Sequence, residues 1–412
     1  MRDKDLYAQI LGITPPWSVQ DVELNLEASE VVVHLALDPS HTLYCPSCGN
    51  SAPGYDSRKR RWRHLDTCEF RTVIVADIPR VNCREHGVHQ IKVPWAEPNS
   101  GFTARFEALA IDWMKEASLS AVCRLLKISW DSAASIQERA VYRGLKRRGR
   151  LTPKRLGVDE TSFQKRHEYV TIVSEQGKNR VLHVADDRRQ GSLDGFYAGL
   201  SKSQRAGIES VSMDMWAAYI ASTLKYVPDA ERKIAFDKFH VAKHLGDAVD
   251  KVRRQEHKVL QEDGCDDLKG TRYLWLQSPE NMSLQRWADL KALRRSTLQT
   301  AVAWSVKELA MTLWRYKTRS WARKAWEQCL YWAKETGLKP VIDVALMLER
   351  HLDGILNAIV LRATNGMAEG INSRIQWIKK MACGFRNRDR FRMAIYFHLG
   401  GLDLYPAAGR GS

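Results

Sequence analysis

The sequence has no apolar run approaching the ~20 residues a bilayer-spanning helix needs, which argues against an integral membrane protein. Its opening residues, MRDKDLYAQI, lack the apolar core of a secretory signal, so a cytoplasmic chain is expected. Cysteine is scarce, with eight in 412 residues, which excludes a disulfide scaffold and leaves reduced thiols as the default. Internal repeats and low-complexity tracts are absent, so neither a solenoid nor a disordered tail is indicated. Acidic residues are also in short supply: 48 Asp+Glu face 64 Lys+Arg, a net charge of +16. That excess is large for an enzyme of small metabolites. It suits a polyanionic partner, nucleic acid above all, because neutralising phosphates releases counterions.

What is present is ordinary globular composition, 44% hydrophobic and 27% charged, over a length suited to several domains. The positive charge is concentrated. Residues 1–57 carry two basic and eight acidic residues, whereas residues 58–155 carry 21 basic and 10 acidic. Residues 362–392 carry eight basic and two acidic. Clustering of this kind marks a binding footprint more than a diffuse solubility charge.

Residues 1–100 read as a β module closed by metal. Ser29–Leu37 and Arg71–Asp77 are β-branched runs suited to strands. Cys45 and Cys48 form a CPSCG turn, and Cys83 and His86 form a CREH turn 35 residues past Cys48. Two close ligand pairs joined by strands are what a structural, tetrahedral Zn²⁺ site requires, with His64 and His89 as rival ligands to His86. Between the pairs lies the basic run Arg58, Lys59, Arg60, Arg61 and Arg63, placed to contact phosphates.

Residues 101–153 read as a helix-turn-helix and a basic linker. Ala104–Glu116 is amphipathic, Ser118 is placed to cap a helix over Leu119–Leu126, and Ser129 to cap one from Trp130 to about Tyr142. In this motif the last helix enters the major groove. The candidate DNA contacts are Arg124, Lys127, Ser129, Trp130, Ser132, Gln137 and Arg139, followed by Lys146, Arg147 and Arg148.

From residue 154 the expected order is three strands, helix, strand, helix, strand, which is that of the ribonuclease H-like fold. Asp159 lies inside the first strand, where an uncompensated charge is costly and a metal ion would relieve the cost. Asp214 ends the fourth strand and Asp237 the fifth, with His240 three residues on. Residues 364–380 then form a helix with Met367, Ile371, Ile375 and Ile378 on one face and Glu369, Ser373, Gln376 and Lys380 on the other. Glu369 supplies the third carboxylate that a two-metal phosphoryl-transfer site needs. Lys379, Lys380 and Arg386 surround it with positive charge. The long stretch 241–355 reads as inserted helices and holds seven of the fourteen tryptophans.

CPSCG with CREH, the VDET strand, SMDMWAAY, FDKFHVAKH and TNGMAEGINSRIQWIKKMACGFRN together resemble a known family. They look like the bacterial insertion-sequence transposases of the DDE class, in the group written ISL-three, over nearly the whole chain. The resemblance implies a DNA transposase with Asp159, Asp214 and Glu369 as the catalytic triad, holding Mg²⁺ or Mn²⁺. It implies recognition of terminal inverted repeats, strand transfer into target DNA, a homodimer or larger synaptic complex, and a location at the bacterial nucleoid. Asp237 and His240 are expected in an accessory role, with Asp237 the rival for second carboxylate. The competing readings are an inactive DNA-binding regulator derived from a transposase and a nuclease of the same fold.

The expected architecture is multidomain α/β: 1–100 a zinc-binding β module, 101–153 the helix-turn-helix and linker, 154–240 plus 356–400 a ribonuclease H-like catalytic domain, and 241–355 its α-helical insertion.

Overall fold

A computed structural model describes residues 3–407 except 165–167, 296–297 and 364–365, and the side chains of 366–369 also lie outside the described part. The chain forms two compact units, residues 1–148 with 396–398 and 402–412, and residues 149–395 with 399–401. No described helix is long and apolar enough to cross a membrane.

The first unit begins with α1 (Asp3–Leu11), β1 (Trp17–Asn25), β2 (Glu30–Leu37), β3 (Gly54–Arg63), β4 (Arg71–Cys83) and β5 (Gly87–Gln90). These strands form one sheet in the order β1-β2-β4-β3, with β5 added to β4. Strands β2 and β4 pair in parallel and the other pairs are antiparallel. Alternation along β2 buries Val31, Val33 and Leu35. They meet Trp17, Trp62, Ile74, Ile78 and Trp95 in the core of the module.

Three helices follow: α2 (Ala104–Glu116), α3 (Leu119–Leu126) and α4 (Trp130–Arg147). Thr103, Ser118 and Ser129 cap them, their side chains accepting from the backbone N–H of Phe106, Ala121 and Ser132. Lys127 takes the left-handed conformation, φ 52°, that ends α3 and turns the chain into α4. The β module and these helices share one unit because the strand end Arg63–His64 reaches the start of α2. His64 Nδ1 lies 2.8 Å from Thr103 Oγ1, and the Arg63 guanidinium sits over the Phe106 ring.

The second unit contains β6 (Arg155–Gln164), β7 (Glu168–Glu175), β8 (Arg180–Ala185), α5 (Gln190–Ala198), α6 (Lys202–Ala206), β9 (Ser210–Met213), α7 (Ala217–Tyr226), α8 (Ala230–Lys233) and β10 (Ile234–Phe236). Its sheet has the order β10-β9-β6-β7-β8. Strands β6, β7 and β8 pair antiparallel, while β9 and β10 run parallel to β6. Leu156, Val158, Val173, Val211 and Met213 are fully buried against the flanking helices.

The helical stretch comprises α9 (Lys238–Glu262), α10 (Arg272–Leu276), α11 (Leu284–Arg294), α12 (Gln299–Thr312), α13 (Arg319–Glu335), α14 (Lys339–Arg350) and α15 (Leu352–Leu361), followed by α16 (Gly366–Met381) and α17 (Arg388–Leu399). Its core is continuous with that of the sheet. Asn357 on α15 fixes that joint, donating its amide at 2.7 Å to the carbonyls of Glu231 and Ile234. Of the seven tryptophans in this region, Trp275, Trp304 and Trp326 are buried and Trp287 and Trp314 pack at its margin. Trp321 and Trp332 are exposed instead.

Candidate functional site

Register brings two carboxylates together. Parallel pairing of β6 with β9 matches Gly157 to Ser212. Asp159, inside β6, and Asp214, the first residue past β9, each lie two residues further on, close enough for the Asp214 charge to raise the Asp159 carboxyl. Phe236 of β10 pairs with Met213, which brings Asp237 to the level of Asp214 but one strand farther from Asp159. In open α/β sheets, ligands bind beyond the carboxyl ends of the parallel strands.

Asp159 is mid-strand, and burial pushes its carboxyl up to about 6, opposed in part by the backbone N–H of Glu160. Its Oδ1 accepts that N–H at 2.7 Å, and its Oδ2 accepts the Asn372 amide at 2.7 Å. The Asp214 carboxylate is more open, accepting the Met215 N–H at 2.6 Å. His240 Nδ1 stands 3.6 Å from it. One helical turn later on α9, burial holds His244 below the ordinary imidazole range against the pull of Asp214. His351 is lowered for the same reason. Asp237 is buried at the start of α9.

Helix α16 lies against β6. Asn372, Gln376 and Lys379 reach Asp159, Thr161 and the Ser162 carbonyl at 2.7, 3.1 and 2.6 Å. Ile371, Ile375 and Ile378 form the buried face, as their spacing predicts. The polar face is rotated from the expected one: Ser373 and Lys380 point to solvent, and Asn372 and Lys379 take the contacts with β6. Glu369 and Met367 are in the first turn of this helix, and their side chains lie outside the described residues. The Asn372 Oδ1 atom is buried without a partner among the described residues.

In the first unit, Cys45, Cys48, Cys83 and His86 gather so that their ligand atoms lie within 4.8 Å of one another. Cys48 Sγ is 3.8 Å from Cys83 Sγ, and His86 Nδ1 is 3.9 Å from Cys45 Sγ and 3.5 Å from Cys83 Sγ. Those separations fit four ligands around one tetrahedral Zn²⁺ with bonds of about 2.0–2.3 Å. Backbone N–H groups of Cys48 and Ser47 hold the Cys45 thiol low, and those of Glu85 and His86 do the same for Cys83, which favours the ligating thiolate. The rival His64 is excluded by its buried contact with Thr103, which leaves its imidazole lowered to about 4, chiefly by burial. His89 lies on β5 outside the cluster.

The expected DNA contacts divide by environment. Arg58 and Lys59 on β3, Arg124 and Lys127 on and after α3, and Ser129, Trp130 and Lys146 on or beside α4 are exposed. So are Lys380 and Arg386 in the second unit. Others contact groups within the fold, Arg61 and Arg147 while still exposed. Arg139 pairs with buried Glu107 at 2.6 Å, and Arg61 pairs with Glu30 at 2.7 Å. Arg60 donates to Gln90 and the Ser100 carbonyl, and Arg63 to the His64 carbonyl. Arg147 holds Asp403 and the Tyr405 carbonyl, Arg148 is half-buried, and Ser132 serves the Ser129 cap. In Arg60, Arg61, Arg63, Arg139 and Arg147 an internal carboxylate or carbonyl takes up part of the guanidinium's hydrogen-bonding capacity.

Three family models match the chain. Residues 156–395, more than half the chain, match the transposase model of the DDE ISL3 type. Residues 43–86 match the zinc-finger of transposase IS204/IS1001/IS1096/IS1165, and residues 91–141 the helix-turn-helix domain of transposase family ISL3. The transposase for insertion sequence element IS1557 of Mycobacterium tuberculosis is 26% identical, over 94% of this chain and 93% of its own. The transposase for insertion sequence element IS1001 of Bordetella parapertussis is 24% identical, over 96% and 98%.

Proposed function

The chain belongs to the ISL3 family of DDE transposases, and on that premise we propose that Asp159, Asp214 and Glu369 form the centre that breaks and rejoins DNA. The observation that carries this reading is the parallel register of β6 and β9, in which Asp159 and Asp214 each follow the paired Gly157 and Ser212 by two residues. Glu369 enters on its sequence context and its position in the first turn of α16, the helix whose Asn372 donates to Asp159. The strand order and the βββαβαβ sequence of elements support a ribonuclease H-like fold for 154–240 plus 356–400, with 241–355 as its helical insertion.

Divalent cations held by these three carboxylates would supply Lewis-acid stabilisation of the attacking and leaving oxygens, and an all-oxygen donor set suits Mg²⁺ or Mn²⁺. The chain's own residues prepare the site. Asn372 fixes the Asp159 carboxylate, and His240 flanks Asp214. Asp237, one strand away and buried at the N-cap position of α9, would be an accessory residue.

Zinc at Cys45, Cys48, Cys83 and His86 would hold the β module. With α3 and α4 that module would read the terminal inverted repeats through exposed Arg58, Lys59, Arg124, Lys127, Trp130 and Lys146. Lys380 and Arg386 would hold the strand near the carboxylates. Two ends must be joined in one event, so a homodimer or larger complex acting on duplex DNA in the bacterial cytoplasm follows. The test is a labelled inverted-repeat duplex incubated with the full chain, Mg²⁺ and a target plasmid. Metal-dependent nicks at the repeat terminus and joined products are expected. Tight binding with no metal-dependent breakage would make the chain a regulator, and nicks without joining would make it a nuclease.

A further inference from the structure

Against Glu160 and Trp216, which neighbour Asp159 and Asp214 in the chain, lies an arginine that the sequence pattern did not single out. Arg188 stands in the loop between β8 and α5. Its guanidinium carbon lies over two rings, 4.8 Å from the centroid of Trp216 and 5.1 Å from that of Tyr169. Trp216 is two residues past Asp214, and its indole N–H donates back to the Arg188 carbonyl at 3.1 Å. The loop is pinned from both sides: Thr171 donates to the Asp187 carbonyl, and the Asp187 side chain accepts from the Arg189 N–H and from Ser192.

Held this way, the cation is fixed by ring faces rather than by its donors. Among the described residues its guanidinium makes no hydrogen bond. Its nearest anion is Glu160, next to Asp159, at 3.7 Å, well beyond the 2.7–2.9 Å of a charge-assisted hydrogen bond. The side chain is 42% exposed. A pre-oriented fork of N–H groups is thus left open beside Glu160 and Trp216, which are one and two residues along the chain from Asp159 and Asp214. Such a fork fits a pair of oxygens on one tetrahedral centre, and a carboxylate already in reach has not claimed it.

We propose that Arg188 is a phosphate anchor: it grips the non-bridging oxygens of one phosphodiester in the DNA strand laid across Asp159 and Asp214. The proposal rests on the transposase-site reading above and adds a binding subsite to it. Tyr169 and Trp216 act as positioning residues, holding the fork still so that little freedom is lost when the strand arrives.

The experiment measures binding rather than turnover. Full-length Asp159→Asn protein is titrated with terminal-repeat DNA in which single phosphates near the expected cleavage position are replaced, one at a time, by neutral methylphosphonates. One position should weaken binding tenfold or more. The same replacement should cost less than twofold in protein that also carries Arg188→Ala. The slope of log affinity against log salt should fall by about 0.7–0.9, the loss of one phosphate contact. Arg188→Gln, which keeps a planar group to stack on the rings, should behave like alanine, and Arg188→Lys should restore the slope but not the full affinity. Melting curves of the variants identify any misfolded protein, and the glutamine variant then carries the test. Identical interference profiles and salt slopes with and without Arg188 would overturn the proposal and leave the arginine a staple between two rings. A wild-type chain that neither nicks nor joins DNA would refute the transposase-site reading instead, and the interference pattern would still be readable.

Discussion

Asn372 donates its side-chain amide to Asp159 Oδ2 at 2.7 Å, tying helix α16 to strand β6 through a carboxylate buried in mid-strand. The bond fixes the carboxylate's orientation. Asn372→Ala should slow single-turnover cleavage at least tenfold while leaving DNA affinity within about twofold, the signature of lost positioning. Asn372→Asp places a like charge beside Asp159, which raises its pKa further. The acid limb of the pH–rate profile should therefore move to higher pH in that variant, which a merely destabilised helix would not produce.

Burial raises the Asp159 carboxyl to about 6, above its unfolded value of about 3.9, so the metal-free fold binds a proton more tightly than the unfolded chain. The stabilisation that protonation gives is fully present below the unfolded value and is lost as pH rises through about 6. The shift corresponds to about 3 kcal/mol. Metal-free Asp159→Asn protein should therefore match the wild type near pH 4 and melt higher at pH 7.5. Because only the carboxylate ligates, Mg²⁺ or Mn²⁺ affinity of the wild type should climb between pH 5 and 7 and then level off. Calorimetric titrations and paired melts across that range check both statements.

The zinc ligands are predicted to act on the first unit alone. Cys48→Ser should lose one equivalent of bound zinc by elemental analysis and weaken terminal-repeat binding at least tenfold. The melting transition of the second unit should stay in place, because the cluster lies wholly in the first. Retention of full zinc content in Cys48→Ser would remove it from the ligand set.

The C-terminal segment is part of the first unit and packs on α4. A Cβ at Gly144 would come within 2.6 Å of Leu402 Cβ. Around it, Arg143 donates to the Leu404 carbonyl and Lys115 to Tyr405 Oη. Gly144→Ala should cost about 1–3 kcal/mol of unit stability through overpacking. Gly101→Ala, with open space at its Cβ, should shift the melt little beyond the ordinary surface range. Urea titration of the two variants compares them.

Much of this was legible in local pattern. The Ser118 and Ser129 caps, the period of α2 and α3, the β-branched runs of β2 and β4, and the CxxC and CxxH turns each signal their structure within a few residues. The carboxylates were legible because a charge inside an apolar strand and an acid at a strand end are anomalies in sequence. What stayed hidden depends on partners far away along the chain. Nothing local to Arg139 shows that it pairs with Glu107, 32 residues earlier. Asn372 and Ser373 are adjacent, and only docking against β6 decides which of them faces Asp159. Arg188 carries no local signal in its run of Asp and Arg, since the rings that hold it come from β7 and from the turn after β9.

The central claim is the identity of the three carboxylates. The measurement that meets it most directly is single-turnover cleavage of a terminal-repeat duplex by Asp159→Asn, Asp214→Asn, Glu369→Gln and Asp237→Asn proteins, compared at matched DNA occupancy. The account predicts at least a thousandfold loss in the first three and retained cleavage, within about tenfold of wild type, in Asp237→Asn. Full activity in Glu369→Gln, or loss in Asp237→Asn with Asp214→Asn active, would contradict it.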